Sequence, residues 1–249
     1  NAWLGVIEYQ ESAAPFHNWN ERINFECYAP NSAARLLNDK REIKGIVSNY
    51  AYMSFNFGPT LLAWMEKHDP YAYQAILDAD KQSLKYFNGH GSAIAQVYNH
   101  IIMPLANKRD KETQIIWGIH DFESRFQRKP EGMWLAETAV DTETLEILAE
   151  NDIKYTILAP RQGKSFRKLK EGNWTECAHD NIDPRNAYQC LLPSGKSIVL
   201  FFYDGGIAQS VAFNGLLNDG NLFARKMASV FDQNDSPQLS HIATDGESY

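Results

Sequence analysis

The sequence predicts an α/β protein built on a parallel sheet, open or closed as a barrel. Three observations carry that prediction. From Ile46 onward, short apolar runs of strand length alternate with longer amphipathic stretches. The run Ile198-Val199-Leu200-Phe201-Phe202-Tyr203 is apolar throughout, as strands buried on both faces of a parallel sheet are. Pro and Asp punctuate the places where a strand should hand over to a helix. With 249 residues and 44% hydrophobic content, the chain is long enough for one large domain over residues 1–249. Such a domain buries about 75% of its unfolded surface.

Taken in order, residues 1–45 are polar and aromatic, broken at Ala29-Pro30, and Asn31 to Asn38 has room for a short helix. Tyr50 to Asn56 reads as a strand. Gly58-Pro59 opens a helix, because Pro at a first-turn position lacks only an N–H that would have no partner there. Phe57, Leu61, Leu62 and Met65 fit one apolar face. Asp69-Pro70 starts a second helix, to about Phe87. Ser92 to Gln96 reads as a short buried strand. Arg109 to Phe126 carries Ile115, Ile119, Phe122 and Phe126 at helical spacing and is stopped by Pro130. Met133-Trp134-Leu135 is the next strand. Asp141 is the expected N-cap of a helix carrying Leu145, Ile147 and Leu148. Tyr155 to Ala159 is a strand closed by Pro160, and residues 161–190 form a polar excursion with room for a hairpin. Asp204-Gly205-Gly206 leads from the apolar run into a helix, a further helix covers about Leu222 to Phe231, and Leu239 to Thr244 reads as the last strand.

Composition narrows the function classes. A formal net charge of -7 argues against a nucleic-acid partner, which favours a basic face; a neutral polymer fits better. No apolar stretch approaches the ~20 residues that span a bilayer, so no membrane association is expected. Cys27, Cys177 and Cys190 form neither a metal spacing nor an even framework, which suggests a reducing, cytoplasmic compartment and no cofactor or metal. Oligomeric state is not legible. The chain lacks an initiating Met and stops in what reads as an active-site loop. It therefore reads as an internal fragment, truncated at both ends.

In parallel α/β folds the C-terminal ends of the strands carry the chemistry. Four polar clusters fall there: His90, Gln96, Asn99 and His100; Glu137; Asp204; and Asp245 with Glu247. Two carboxylates at strand ends are what glycosidic bond cleavage needs. One acts as nucleophile and the other as general acid, then base, with their carboxyl groups ~5–5.5 Å apart in retaining enzymes. The acid must hold a proton near neutral pH, which burial or a neighbouring negative charge such as Glu247 favours. Each signal also has a structural explanation. A Glu after an apolar run is often a cap or a surface residue, a terminal Asp-Gly is often a turn, and His100 and Trp134 suit a core. An Asp with two His around a divalent metal, drawn from Asp121, His90, His100 and His120, is the alternative of a polysaccharide deacetylase, but these residues lack the tight helical His pairing. A non-catalytic glucan-binding protein is the third reading.

Four segments carry a resemblance to glycoside hydrolase family 57. They are Ser54-Phe55-Asn56-Phe57-Gly58-Pro59-Thr60-Leu61, Gly89-His90-Gly91-Ser92-Ala93-Ile94-Ala95-Gln96 with Tyr98-Asn99-His100, Glu131-Gly132-Met133-Trp134-Leu135-Ala136-Glu137, and Ala243-Thr244-Asp245-Gly246-Glu247-Ser248-Tyr249. The resemblance implies a (β/α)7 barrel of the glycoside hydrolase/deacetylase type, here incomplete. It also implies retaining action on α-glucans as amylase, 4-α-glucanotransferase or branching enzyme. Matched position by position, Glu137 takes the nucleophile's place in the Trp-Leu-x-Glu motif, and Asp245 takes the acid/base's place in the Asp-Gly-Glu motif. Trp134 matches an aromatic residue near the cleaved bond, and Gln96, His100, Asp204 and Glu247 are expected sugar contacts. The chain departs from the family pattern in having no first strand with a His-x-His or His-Gln-Pro motif, and in having Tyr98-Asn99-His100 where Gly-x-x-Glu-Pro is usual.

Overall fold

The computed structural model describes residues 10–169, 172–177 and 182–248. It is a mixed α/β structure that divides into two compact units. The first holds residues up to Ile101 together with Arg109–Trp134, and the second holds Ile102–Lys108 and Leu135–Ser248. Among the described residues the strands pair in four separate sheets, and no closed barrel forms.

The first unit begins with α1 (Trp19–Ile23) and α2 (Ala29–Ser32), joined by a wide turn of helix over Asn24–Tyr28. A hairpin follows, of β1 (Ala34–Leu37) and β2 (Ile43–Val47). The helix expected over Asn31 to Asn38 is therefore corrected: it stops at Ser32. Asn31 is buried and donates to the Cys27 carbonyl (2.8 Å), and Asn38 instead makes the hairpin turn, its side chain accepting from Lys40 N and Glu42 N. The expected strand from Tyr50 to Asn56 is also corrected. Asn49–Ala51 is a 3-10 turn, and only Phe55 bridges, in parallel, to Ala93. The apolar pattern there serves an aromatic cluster, in which the Phe55 ring sits 5.0 Å from Tyr50, 5.7 Å from Phe57 and 6.2 Å from Phe126.

The helices match their signals. α3 (Pro59–His68) starts at its proline, and α4 (Pro70–Tyr86) is capped by Asp69, which accepts from Ala72 N at 3.1 Å. β3 (Ala95–Gln96) pairs in parallel with β4 (Met133–Trp134), and α5 (Lys108–Phe126) connects them. Gly118 lets α5 approach β3: a Cβ at that position would collide with the Gln96 carbonyl oxygen.

The tie that spans this unit is a buried fork. Asp80 of α4 is 1% exposed. Its two carboxylate oxygens accept from Arg128 Nη2 (2.7 Å) and Nε (2.9 Å), and Oδ1 also accepts from Ala93 N (2.8 Å). Arg128 Nη2 further donates to Ala93 O (2.8 Å), and its guanidinium lies 4.8 Å over the Phe122 ring. Gly91 keeps this geometry open, since a Cβ there would collide with the guanidinium.

In the second unit α6 (Thr142–Glu150) is capped by Asp141, whose Oδ1 accepts from Thr144 N at 2.8 Å. β5 (Tyr155–Leu158) follows, then a small hairpin of β6 (Ser165–Phe166) and β7 (Thr175–Glu176). β8 (Ala187–Leu191) is antiparallel to β9 (Ser197–Phe202), which runs parallel to β5. α7 (Gly205–Phe213) and α8 (Gly220–Ala228) complete the unit. Leu158, Ile182 and Phe202 form one core, and Ile207, Val211 and Leu216 a second, against which Phe223, Met227 and Ile242 pack. The strand expected over Leu239–Thr244 is corrected to an extended segment. Two separate main-chain bonds hold it, Leu239 N to Arg185 O (2.9 Å) and Asp204 N to His241 O (3.0 Å). The three cysteines are free, and no described helix is long and apolar enough to cross a membrane.

Replacing Asp80 with Ala leaves the Arg128 guanidinium without its carboxylate. The expected cost is about 3–5 kcal/mol, read as a lower urea midpoint at unchanged slope. A change below about 1 kcal/mol, the usual worth of an exposed pair, would show that the fork does not hold this unit.

Candidate functional site

The residues singled out from the sequence lie in both units. Gln96, His100 and Trp134 belong to the first, and Glu137, Asp204, Asp245 and Glu247 to the second. Each unit brings some of its own set together.

In the first unit Gln96 and Trp134 are direct register partners across β3 and β4. Gln96 is buried, and its Oε1 accepts from Asn56 Nδ2 at 2.8 Å. Trp134 is half-buried. His100 holds a left-handed backbone (φ 55°) just past β3, with its N–H on the Val97 carbonyl at 3.3 Å. The metal alternative fares differently. His90 Nδ1 lies 2.8 Å from Glu131, while Asp121 pairs with Arg125 at 3.0 Å one helical turn away. Burial pushes the Asp121 carboxyl up, and Arg125 opposes that shift. Among the described residues no group of three or more His, Cys, Asp or Glu side chains is arranged to hold a metal ion.

In the second unit Glu137 sits in an unusual turn. Both Glu137 (φ 54°) and Thr138 (φ 56°) have left-handed backbones. A side chain there crowds its own backbone, at a cost of about 1–3 kcal/mol per residue, and a β-branched Thr is the harder case. Two short-range bonds hold the turn, Thr138 N to Leu135 O (2.9 Å) and Ala139 N to Ala136 O (3.0 Å). Leu135, Ala136 and Thr138 are buried, while Glu137 between them is exposed. The packing of its neighbours thus turns the one carboxylate outward.

Sequence reasoning passed over Gln162, which holds this turn from the far side. Its Nε2 donates to the Thr138 carbonyl (2.7 Å), and its Oε1 accepts from Ala159 N (2.8 Å). The available signal was Pro160-Arg161-Gln162, a Pro-opened turn with Gln at its third position, where its side chain folds back onto the N–H before the turn.

Asp245 and Glu247 are exposed, Asp245 directly before the 3-10 turn Gly246–Ser248 and Glu247 within it, and Ser248 N closes the turn on the Asp245 carbonyl at 3.0 Å. The segment before them is fixed at its root. Arg185 grips Asp183 with Nε and Nη2 (2.9 and 2.8 Å) and Asp232 with Nη1 (2.6 Å). His241 Nε2 donates to the Pro184 carbonyl at 3.2 Å. Asp204 caps α7 through Oδ1, which accepts from Ile207 N at 2.9 Å. Its own N–H reaches His241 O, so the end of β9 and the path to Asp245 are joined.

Polar residues therefore gather at strand ends of a mixed α/β structure, with two exposed acidic turns in one unit. That is the layout of a mixed α/β protein with polar residues on exposed turns. The profile of glycosyl hydrolase family 57 matches residues 8–249, and the chain belongs to that family. It aligns with an exo-type maltose-forming amylase from Pyrococcus sp. ST04 at TM-score 0.66 and 21% identity, over 94% of this chain and 35% of that one. A 4-α-glucanotransferase from Thermococcus litoralis aligns at TM-score 0.60 and 18% identity, over 92% of this chain and 30% of that one. At those identities the likeness is one of fold. Alpha-amylase 1 of Dictyoglomus thermophilum is 25% identical over 107 residues, 43% of this chain and 15% of the relative. The chain thus spans a small part of that curated relative and about a third of the solved structures.

Two outcomes follow for the acidic segment. Asp204→Ala removes the α7 cap at an expected cost of about 1 kcal/mol, whereas Asp204→Asn keeps a capping oxygen and stays within a few tenths. Equal losses in denaturant titrations would show that the carboxylate does more than cap. His241 is pushed below the usual histidine range by burial, against the pull of the Pro184 and Phe202 carbonyls and the Asp204 carboxylate. Its folded form therefore resists protonation. Stability is complete above the unfolded pKa of about 6.5 and is lost as pH falls below it toward the depressed folded value. His241→Gln should flatten that limb between about pH 7 and 5; an unchanged slope would place the titration elsewhere.

Proposed function

We propose that this chain carries a retaining glycosidase centre for α-glucans, with Glu137 as nucleophile and Asp245 as general acid/base. The observation that carries the proposal is the setting of Glu137, an exposed carboxylate on a doubly left-handed turn whose flanking residues are buried. Strained backbone of this kind persists where the surroundings over-determine it, and it clusters at active sites. Asp245 lies in the same unit on a second exposed turn. Family membership supports the reaction class. The α-glucan substrate is supported by relatives named as an amylase, a glucanotransferase and an α-amylase.

In the first step a Glu137 oxygen attacks the anomeric carbon as the bond to the leaving oxygen breaks, and Asp245 gives that oxygen its proton. In the second, Asp245 takes the proton of a water or sugar hydroxyl whose oxygen attacks the same carbon and frees Glu137. Water as acceptor gives hydrolysis; a glucan hydroxyl gives transfer, as in a glucanotransferase or branching enzyme. Gln96, His100 and Trp134 are assigned to the sugar, along with Glu247 and the part of Asp204 not used in capping. The proposed architecture is part of a (β/α)7 barrel.

In the full-length protein, Glu137→Gln should lower turnover of maltooligosaccharides by on the order of 10⁴- to 10⁶-fold, the range seen when members of a covalent catalytic group are removed. Asp245→Asn should fall less on substrates with good leaving groups, which need no proton. A fluorinated glycosyl inactivator should label Glu137. Labelling of another carboxylate, or wild-type turnover in Glu137→Gln, would overturn the assignment.

A further inference from the structure

We infer that Gln162 is a positioning residue for the Glu137 turn, acting through the backbone and not on the sugar itself. The inference rests on the reading of Glu137 as nucleophile. Two adjacent left-handed residues, one of them β-branched, do not hold that shape unaided. The turn's own bonds, from Thr138 N and Ala139 N, constrain its N–H groups. The Thr138 carbonyl is fixed by something outside the turn, the Gln162 Nε2 donor at 2.7 Å.

The geometry explains why glutamine serves. Pro160 opens a 3-10 turn directly after β5, and this brings the Gln162 side chain back over the strand end. Its Oε1 is then anchored on Ala159 N at 2.8 Å. Ala159 is fully buried, so the anchor belongs to the rigid end of the sheet. With its oxygen anchored, the amide has one orientation, and its nitrogen points at the Thr138 carbonyl. A single planar group therefore carries the position of β5 into the Thr138–Ala139 peptide, one residue beyond Glu137. Glutamate at this position would keep the acceptor and lose the donor. A shorter amide would have to abandon one of the two bonds. Because the nucleophile must lie in line with the anomeric carbon, displacing its turn slows the attack far more than it weakens sugar binding.

The test uses the full-length protein and a mechanism-based fluoroglycoside, with labelling followed by intact mass. Gln162→Met keeps the volume and removes both bonds. The expected result is labelling still confined to Glu137, with its rate down about 10- to 100-fold and the KM for maltooligosaccharide within about two-fold. If Gln162→Met does not fold, Gln162→Glu keeps the Ala159 anchor and isolates the Thr138 bond, with the same slowing expected. Loss of activity only in proportion to the unfolded fraction, or a labelling rate equal to wild type in either variant, would overturn the role given to Gln162. Labelling at a residue other than Glu137 in the wild type would instead overturn the nucleophile assignment, so the two failures are distinguishable.

Discussion

The strands that should carry the site are too short to hold themselves in place. β3 and β4 are two residues each, and a ladder of that length fixes neither register nor orientation well. Side chains bonded to the backbone do that work. Asp80 and Arg128 are the strongest case: one carboxylate and one guanidinium together hold both the N–H and the carbonyl of Ala93, just before β3 begins at Ala95. The charges are largely out of water, so the pair is useful only as a complete fork, and loss of one half costs more than the pair is worth. That dependence on complete geometry is what makes such a tie a precise locator.

The same device recurs in the second unit, once with a neutral amide and once with charged groups. Gln162 ties the end of β5 to the Glu137 turn by its amide, and Arg185 gathers Asp183 and Asp232 at the root of the segment that leads to Asp245. Acidic residues here divide into two kinds. Asp141 and Asp204 commit carboxylate oxygens to helix N-caps, which is reason enough for their presence. Asp245 gives its turn only a main-chain carbonyl among the bonds described, and the turn of Glu137 is held by backbone atoms and Gln162. For Asp245, no side-chain bond among those described accounts for the identity of the residue.

The elements visible in the sequence were those whose cause is local. Caps at Asp69, Asp141 and Asp204, the prolines at 59 and 70, and the apolar run of β9 each act within a few residues, and each element formed where its signal stood. The hairpin β1–β2 was hidden because Leu36, Leu37, Ile43 and Ile46 are all exposed, so no alternation of buried and exposed residues marks it. The run from Leu239 to Thr244 has strand composition, but among the described residues only two main-chain bonds along it, at Leu239 and His241, tie it to neighbouring segments. Gln96 and Trp134 could be named as candidates from their strand ends, but not as register partners, because residues 97–132, including all of α5, separate β3 from β4.

Glu137 shows why motif and geometry contribute different things. Its motif identifies a carboxylate type at a strand end, which is chemistry without orientation. A right-handed backbone at 137 and 138 would continue into a helix, and the side chain would then share a face with the helix surface. Two left-handed residues break that path and bury Thr138 while leaving Glu137 exposed. The strain is on the order of several kcal/mol for the two residues together, a large share of a typical domain's net stability. Packing of Leu135 and Ala136 and the Gln162 bond must offset it. A relaxed turn would be more stable and would aim the carboxylate elsewhere, so the strain is intelligible as the cost of where Glu137 points.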